Sequence, residues 1–114
     1  MRAPLLLIAM AFSAVGCGRA TPVSVDNQSG GILEDVVISG SGFEQPLGDI
    51  ATGVTATTMI FPKGESGLEV SFHSQGRHVV LPPSGYFEGG GQYAVTVVVT
   101  PDLGADVDAD LRPY

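Results

Sequence analysis

Cysteine is nearly absent from this sequence: Cys17 is the only one in 114 residues, so the chain cannot close a disulfide within itself. Its stability must therefore rest on a packed apolar core. Tryptophan is missing altogether, and cations are scarce, with five Lys and Arg against twelve Asp and Glu and a formal net charge of −7. Such a surface is a poor partner for nucleic acid and for anionic lipid head groups. Catalytic signatures are missing too. Gly64-Glu65-Ser66-Gly67 is followed by Leu68, which is not a nucleophile elbow, and Gly89-Gly90-Gly91 precedes a strand-like run and not a helix, so it is no phosphate cradle. Beyond residue 16 no stretch keeps a helical period. These absences point away from an enzyme.

What is present begins at the amino terminus. Arg2 precedes an apolar run from Leu5 to Val15 broken only by Ser13, and the run ends Ala14-Val15-Gly16-Cys17. A positive start, an apolar core of about 7–15 residues and small residues at the end are the parts of a secretory signal. Sixteen uncharged residues separate Arg2 from Arg19, whereas a spanning helix needs about 20 predominantly apolar ones. The segment resembles a bacterial lipoprotein signal peptide with its lipobox, in which Val15, Gly16 and Cys17 match and Ala14 stands where Leu is commonest. The resemblance implies cleavage before Cys17, a diacylglycerol thioether on its sulfur and acylation (palmitate) of the new amino terminus. Gly18 in place of Asp implies an outer-membrane lipoprotein facing the periplasm. No cofactor is implied besides this covalent lipid.

On this reading residues 1–16 are a helical signal segment, 17–22 the lipid anchor and a short linker, and 23–114 the folded domain. Removal of the signal leaves 98 residues, enough for one core, with Arg19, Lys63, Arg77 and Arg112 as the remaining cations.

Alternation of apolar and polar residues carries the rest. Val23 and Val25 open a short strand, ended by Asn27-Gln28-Ser29-Gly30-Gly31. Residues 33–39 form a second, with Val36 and Ile38 on one face. A third covers 43–47, where Pro46 demands a sheet edge. Val54 to Phe61 is β-branched and reads as a fourth. Leu68, Val70 and Phe72 alternate with Glu69, Ser71 and His73, and Gln75-Gly76 as a two-residue loop sets Phe72 opposite Val79, Val70 opposite Leu81 and His73 opposite His78. The stretch 82–91, with two prolines and four glycines, is expected to be irregular. Tyr93 to Thr100 is the most apolar strand, and 103–111 the last, with Asp106, Asp108 and Asp110 on its outer face.

Leu47-Gly48, Ile50 and Gly53 before a Thr-rich strand are similar to a spacing in small bacterial immunoglobulin-like modules. Gly91-Gln92-Tyr93 resembles the tyrosine corner of such sandwiches, with Val95 where antibody domains place a cysteine. The expected fold is all-β: a two-layer antiparallel β-sandwich of seven or eight strands, immunoglobulin-like, following the signal segment.

Three constellations are candidates for function. His73 and His78, with Glu69 as a third ligand, offer imidazole and carboxylate to Zn²⁺ or Cu²⁺, although surface histidines without metal are commoner. Asp106, Asp108 and Asp110 alternate like the opening of a calcium loop, but its sixth position is Leu111 and not Gly, so they read as a solvated acidic edge that opposes aggregation. Tyr86 and Phe87 either dock a partner or fold back to plug the end of the sandwich. The leading expectation is a membrane-anchored interaction or structural module with an envelope protein partner. The alternatives are a metal or small-ligand binder through His73 and His78, or an acidic inhibitor of a basic enzyme.

Overall fold

The computed structural model describes residues 20–111; the segment 1–16 read as a signal peptide, Cys17, Arg19 and Arg112 lie outside the described residues. Eight strands pack as two sheets. Strands β1 (Thr21–Asn27), β4 (Thr55–Ile60), β7 (Tyr93–Val99) and β8 (Ala105–Leu111) form one, in the order β4-β1-β7-β8. Strands β2 (Leu33–Gly40), β3 (Phe43–Ile50), β5 (Glu65–Ser74) and β6 (Arg77–Glu88) form the other, in the order β3-β2-β5-β6. Pairing is antiparallel except between β1 and β7, which run parallel with Val23 beside Val95. The expected all-β, two-layer sandwich is what the chain forms. It shares the immunoglobulin-like layering while differing in strand order, because β1 and β2 fall in different sheets, whereas the first two strands of an antibody constant domain share one.

The core follows from the alternation. Val23 and Val25 of β1, Leu68, Val70 and Phe72 of β5, and Val95, Val97 and Val99 of β7 turn inward and are buried. Burying a side chain of this size contributes about 1.5–3 kcal/mol, which lets the domain dispense with a disulfide. In β2 the alternation is re-phased. Leu33 and Val36, three residues apart, are both fully buried, because Asp35 adopts a positive φ of 50° within a bulge against β3 and β5. The Asp35 amide donates to Asp49 Oδ1 at 3.0 Å, which holds the bulge.

Turn chemistry fixes the β5–β6 register. Gln75 and Gly76 have φ of 53° and 76°, the paired positive values of a two-residue hairpin loop, and His73 stands opposite His78 as the alternation requires.

Two expectations need correction. Residues 82–88, read as irregular, continue β6 through Pro82 and Pro83 to Glu88. The prolines are tolerated because, among the described residues, β6 pairs with β5 alone and its other edge has no partner, while register shifts around Leu68 absorb the missing donors. The last strand begins at Ala105, since Leu103 sits in the β7–β8 turn with φ 64°. Pro46 lies on β3, an edge strand, as its chemistry demands.

Candidate functional site

Strand directions bring many chain segments to the end of the sandwich where β1 begins. Thr21 pairs with Ile60, Tyr93 with Leu111, Glu65 with Glu88 and Gly40 with Phe43, so this end collects the start of β1 and the last residue of β8. The connections between strands are tied together here. The Ser41 amide donates to Ser66 Oγ at 3.0 Å, the Lys63 amide to the Ser41 carbonyl at 2.9 Å, and the Gly89 amide to the Gly64 carbonyl at 2.8 Å. At Gly89 even a methyl group would collide with the Pro62 carbonyl, which explains a glycine at that point of the Gly89-Gly90-Gly91 run.

The same end divides the aromatic pair Tyr86 and Phe87, as alternation along a strand must. Phe87 is fully buried, with its ring 6.4 Å from that of Phe43 and 6.5 Å from that of Tyr93. It plugs the sandwich and offers no surface to a partner. Tyr93 thereby gains a core contact at the start of β7, and Val95, in the position of the antibody cysteine, is buried. Tyr86 points outward, 51% exposed, and its hydroxyl donates to Glu88 Oε1 at 2.5 Å.

That hydrogen bond, assisted by partial desolvation and the charge of Glu65, pushes the Tyr86 phenol up to about 12. The raised value favours the neutral phenol in the folded chain. Its contribution is present below the free phenol range near 10 and is lost as pH rises through the folded value. Spectrophotometric titration is expected to show a phenolate step near pH 12 that disappears in Tyr86→Phe and moves back toward the ordinary range in Glu88→Ala. A wild-type Tyr86 titrating with the ordinary phenol would mean that the hydrogen bond is not formed.

At the opposite end, His73 and His78 stack, with ring centroids 4.5 Å apart and planes 12° from parallel. Stacked rings aim their in-plane lone pairs along parallel planes, not at a common point as a chelated ion requires. Glu69 shares their face but stands four residues back along β5, roughly 13 Å away by strand rise. The carboxylate that flanks the pair is Glu34, paired with His73 from β2. Among the described residues no three His, Cys, Asp or Glu side chains are arranged to hold a metal. His73 Nδ1 is buried without a hydrogen-bond partner.

Asp106, Asp108 and Asp110 are exposed on the outer face of edge strand β8, spaced as a charged edge. Asp102 has a structural task in the β7–β8 turn: the Thr100 hydroxyl and the Gly104 amide both donate to it, holding its carboxyl below the ordinary range. Between β6 and β8 the sheets leave a cleft of about 310 Å³ lined by Leu68, Leu81, Pro83, Ala105 and Val107. Its walls are apolar, with Ser84 the one polar side chain among its lining.

Sequence reasoning missed a group of exposed apolar side chains at the end where β1 begins. Met59 is 54% exposed, Phe61 56% and Leu111 68%, and they join Tyr86 there. A trace was present in Met59-Ile60-Phe61, three consecutive large apolar residues in a segment that otherwise alternates.

No protein family profile matches the chain, and no curated protein matches it either. Among solved structures it is similar to a protein from Eubacterium rectale determined by NMR, with a TM-score of 0.53 and 16% identity over 83% of this chain and 92% of that one. At that identity the likeness concerns the fold alone.

Proposed function

We propose that this protein is a small lipoprotein of the bacterial envelope, anchored through Cys17 in the outer membrane, whose sandwich serves as an interaction or structural module facing the periplasm. The observation that carries the reading is the point where the tether meets the fold. Strand β1 begins at Thr21, a fully buried residue on a strand flanked by β4 and β7, so only Gly18, Arg19 and Ala20 separate Cys17 from the core. Four extended peptide steps span at most about 14 Å. A lipid on Cys17 therefore confines the whole domain to the bilayer surface, where its partners would be other envelope proteins. Two acyl chains or more make such attachment stable.

Metabolic labelling with a palmitate analogue tests this. Label is expected in the wild-type protein and absent from Cys17→Ala, which should leave the membrane fraction. Absence of label, or a membrane-bound Cys17→Ala, overturns the reading. Crosslinking in native membranes then reads the partner.

A further inference from the structure

Resting on that anchored reading, we infer that the end of the sandwich from which β1 emerges is a second, non-covalent membrane contact: a rim of Met59, Phe61, Tyr86 and Leu111 that lies against a zwitterionic bilayer and fixes the orientation of the domain. Seven large apolar side chains are markedly exposed among the described residues, and four of them are at this end. Ile32 and Val54 are at the opposite end, and Val80, opposite Ser71, lies toward that end on β6. The four come from three different strands and the β4–β5 connection, and strand direction, not sequence, brings them to one end, where they ring the sandwich from both sheets.

The chain outside the described residues says what covers them. It leaves the fold at Thr21, beside Ile60 and on the same end as Leu111, and it carries Cys17 four residues earlier. Whatever holds Cys17 is therefore held within about 14 Å of Thr21. A short tether could still let the sandwich lie on any side, and the rim selects the end-on pose. Aromatic side chains with one apolar and one polar end suit the head-group level, and Tyr86, with its exposed ring and hydroxyl, has that character.

Charge agrees with a zwitterionic surface. Of the four cations left after signal removal, Lys63 follows Phe61 by two residues, Arg19 precedes Thr21 by two and Arg112 follows Leu111 directly, whereas Arg77 is in the hairpin at the far end. Lysine and arginine next to apolar anchors reach lipid phosphates. Glu65 and Glu88 are also at this end, which disfavours a strongly anionic leaflet.

The full lipidated protein in phosphatidylcholine vesicles provides the test, with mass spectrometry first establishing that Cys17 is acylated. A thioether at Cys17 does not react with a thiol-specific nitroxide, so Met59→Cys and, as the far-end control, Val54→Cys can each be labelled singly. The ratio of oxygen to water-soluble nickel-chelate accessibility is expected to be at least threefold higher at 59 than at 54. As a check without introduced cysteine, lipids carrying a quencher near the head group should quench native tyrosine fluorescence, with most of the loss abolished in Tyr86→Phe. Acylated protein with equal accessibility at both positions and no quenching overturns the rim alone. Dipolar broadening of the label at 59 that grows with protein density assigns the rim to a second copy and likewise overturns it. Protein that is not acylated overturns the anchored reading, and the inference falls with it.

Discussion

Phe87→Ala is expected to destabilise the domain by about 3–5 kcal/mol, the range for deleting a large aromatic from a core that cannot collapse around the void. Phe87 is fully buried and bridges two other rings, Phe43 at the start of β3 and Tyr93 at the start of β7, so it joins the two sheets at one end. A small domain has only about 5–15 kcal/mol in total, and in one of this size each kcal/mol shifts the melting temperature by about 4–8 °C. Thermal melts followed by circular dichroism should place the variant on the order of 20 °C below wild type, with urea titration giving a lower midpoint at an unchanged slope. Tyr86→Ala is the internal comparison. Tyr86 is half exposed, and its hydrogen bond to Glu88 is at the surface, so its loss should lower the melting temperature far less than loss of Phe87. If Phe87→Ala melted close to wild type, Phe87 would not be the plug, and the buried position assigned to it would be wrong.

The contrast between these adjacent residues marks how far local pattern reaches. Alternation locates β1, β5, β7 and β8 and predicts which of their faces turn inward, because a strand with one buried face repeats every two residues. The hairpin at Gln75-Gly76 is legible to the residue, since the turn demands two positive φ values and the apolar face permits one register. In 82–91, by contrast, Pro and Gly suppress the pattern, and only the edge position of β6, a property of the whole sheet, explains why the strand continues. Bulges have the same effect. Nothing in Leu33-Glu34-Asp35-Val36 announces that Asp35 will take a left-handed conformation and return Val36 to the core.

Long-range order is less legible still. The parallel pairing of β1 with β7 joins residues some seventy positions apart, and every inner strand of a sandwich presents the same valine-rich alternation to a reader of the sequence. The apolar rim depends on that order. Met59, Phe61, Tyr86 and Leu111 each look like a single exposed hydrophobe, which is ordinary on any surface, and they become one feature only when strand directions carry them to one end. The histidine pair shows the opposite limit. Its cross-strand contact is predictable, but whether two rings stack or chelate depends on rotamers and on the third donor, and Glu34 flanks the pair through a strand pairing that spacing along β5 does not reveal.

Asn27 supplies the second large effect. The fold commits its side chain to an internal bond set. Asn27 is fully buried at the end of β1, and its Nδ2 donates to the Gly31 carbonyl at 2.7 Å and to the Ile50 carbonyl at 2.8 Å. Its Oδ1 accepts from the Ser29 amide at 3.0 Å and the Ser29 hydroxyl at 2.6 Å. The amide therefore holds the β1–β2 turn closed and ties it to the last residue of β3 in the other sheet. Asn27→Ala strands these partners, each costing about 1–3 kcal/mol when buried, and a net loss of about 3 kcal/mol is expected in urea unfolding. Asn27→Asp separates the donors from the acceptor at nearly constant volume. The carboxylate would keep the bonds from Ser29 but turn a buried negative charge toward two carbonyl oxygens, so its folded pKa must rise above the unfolded value near 3.9. The variant's penalty is then greatest at neutral pH and eases as pH falls through the raised folded value, where the protonated acid can again donate to one carbonyl. Denaturation of Asn27→Asp and wild type at pH 7 and pH 4 should show the stability difference shrinking at the lower pH, and a difference that stayed constant would mean that Nδ2 does not make the bonds on which the closed turn depends.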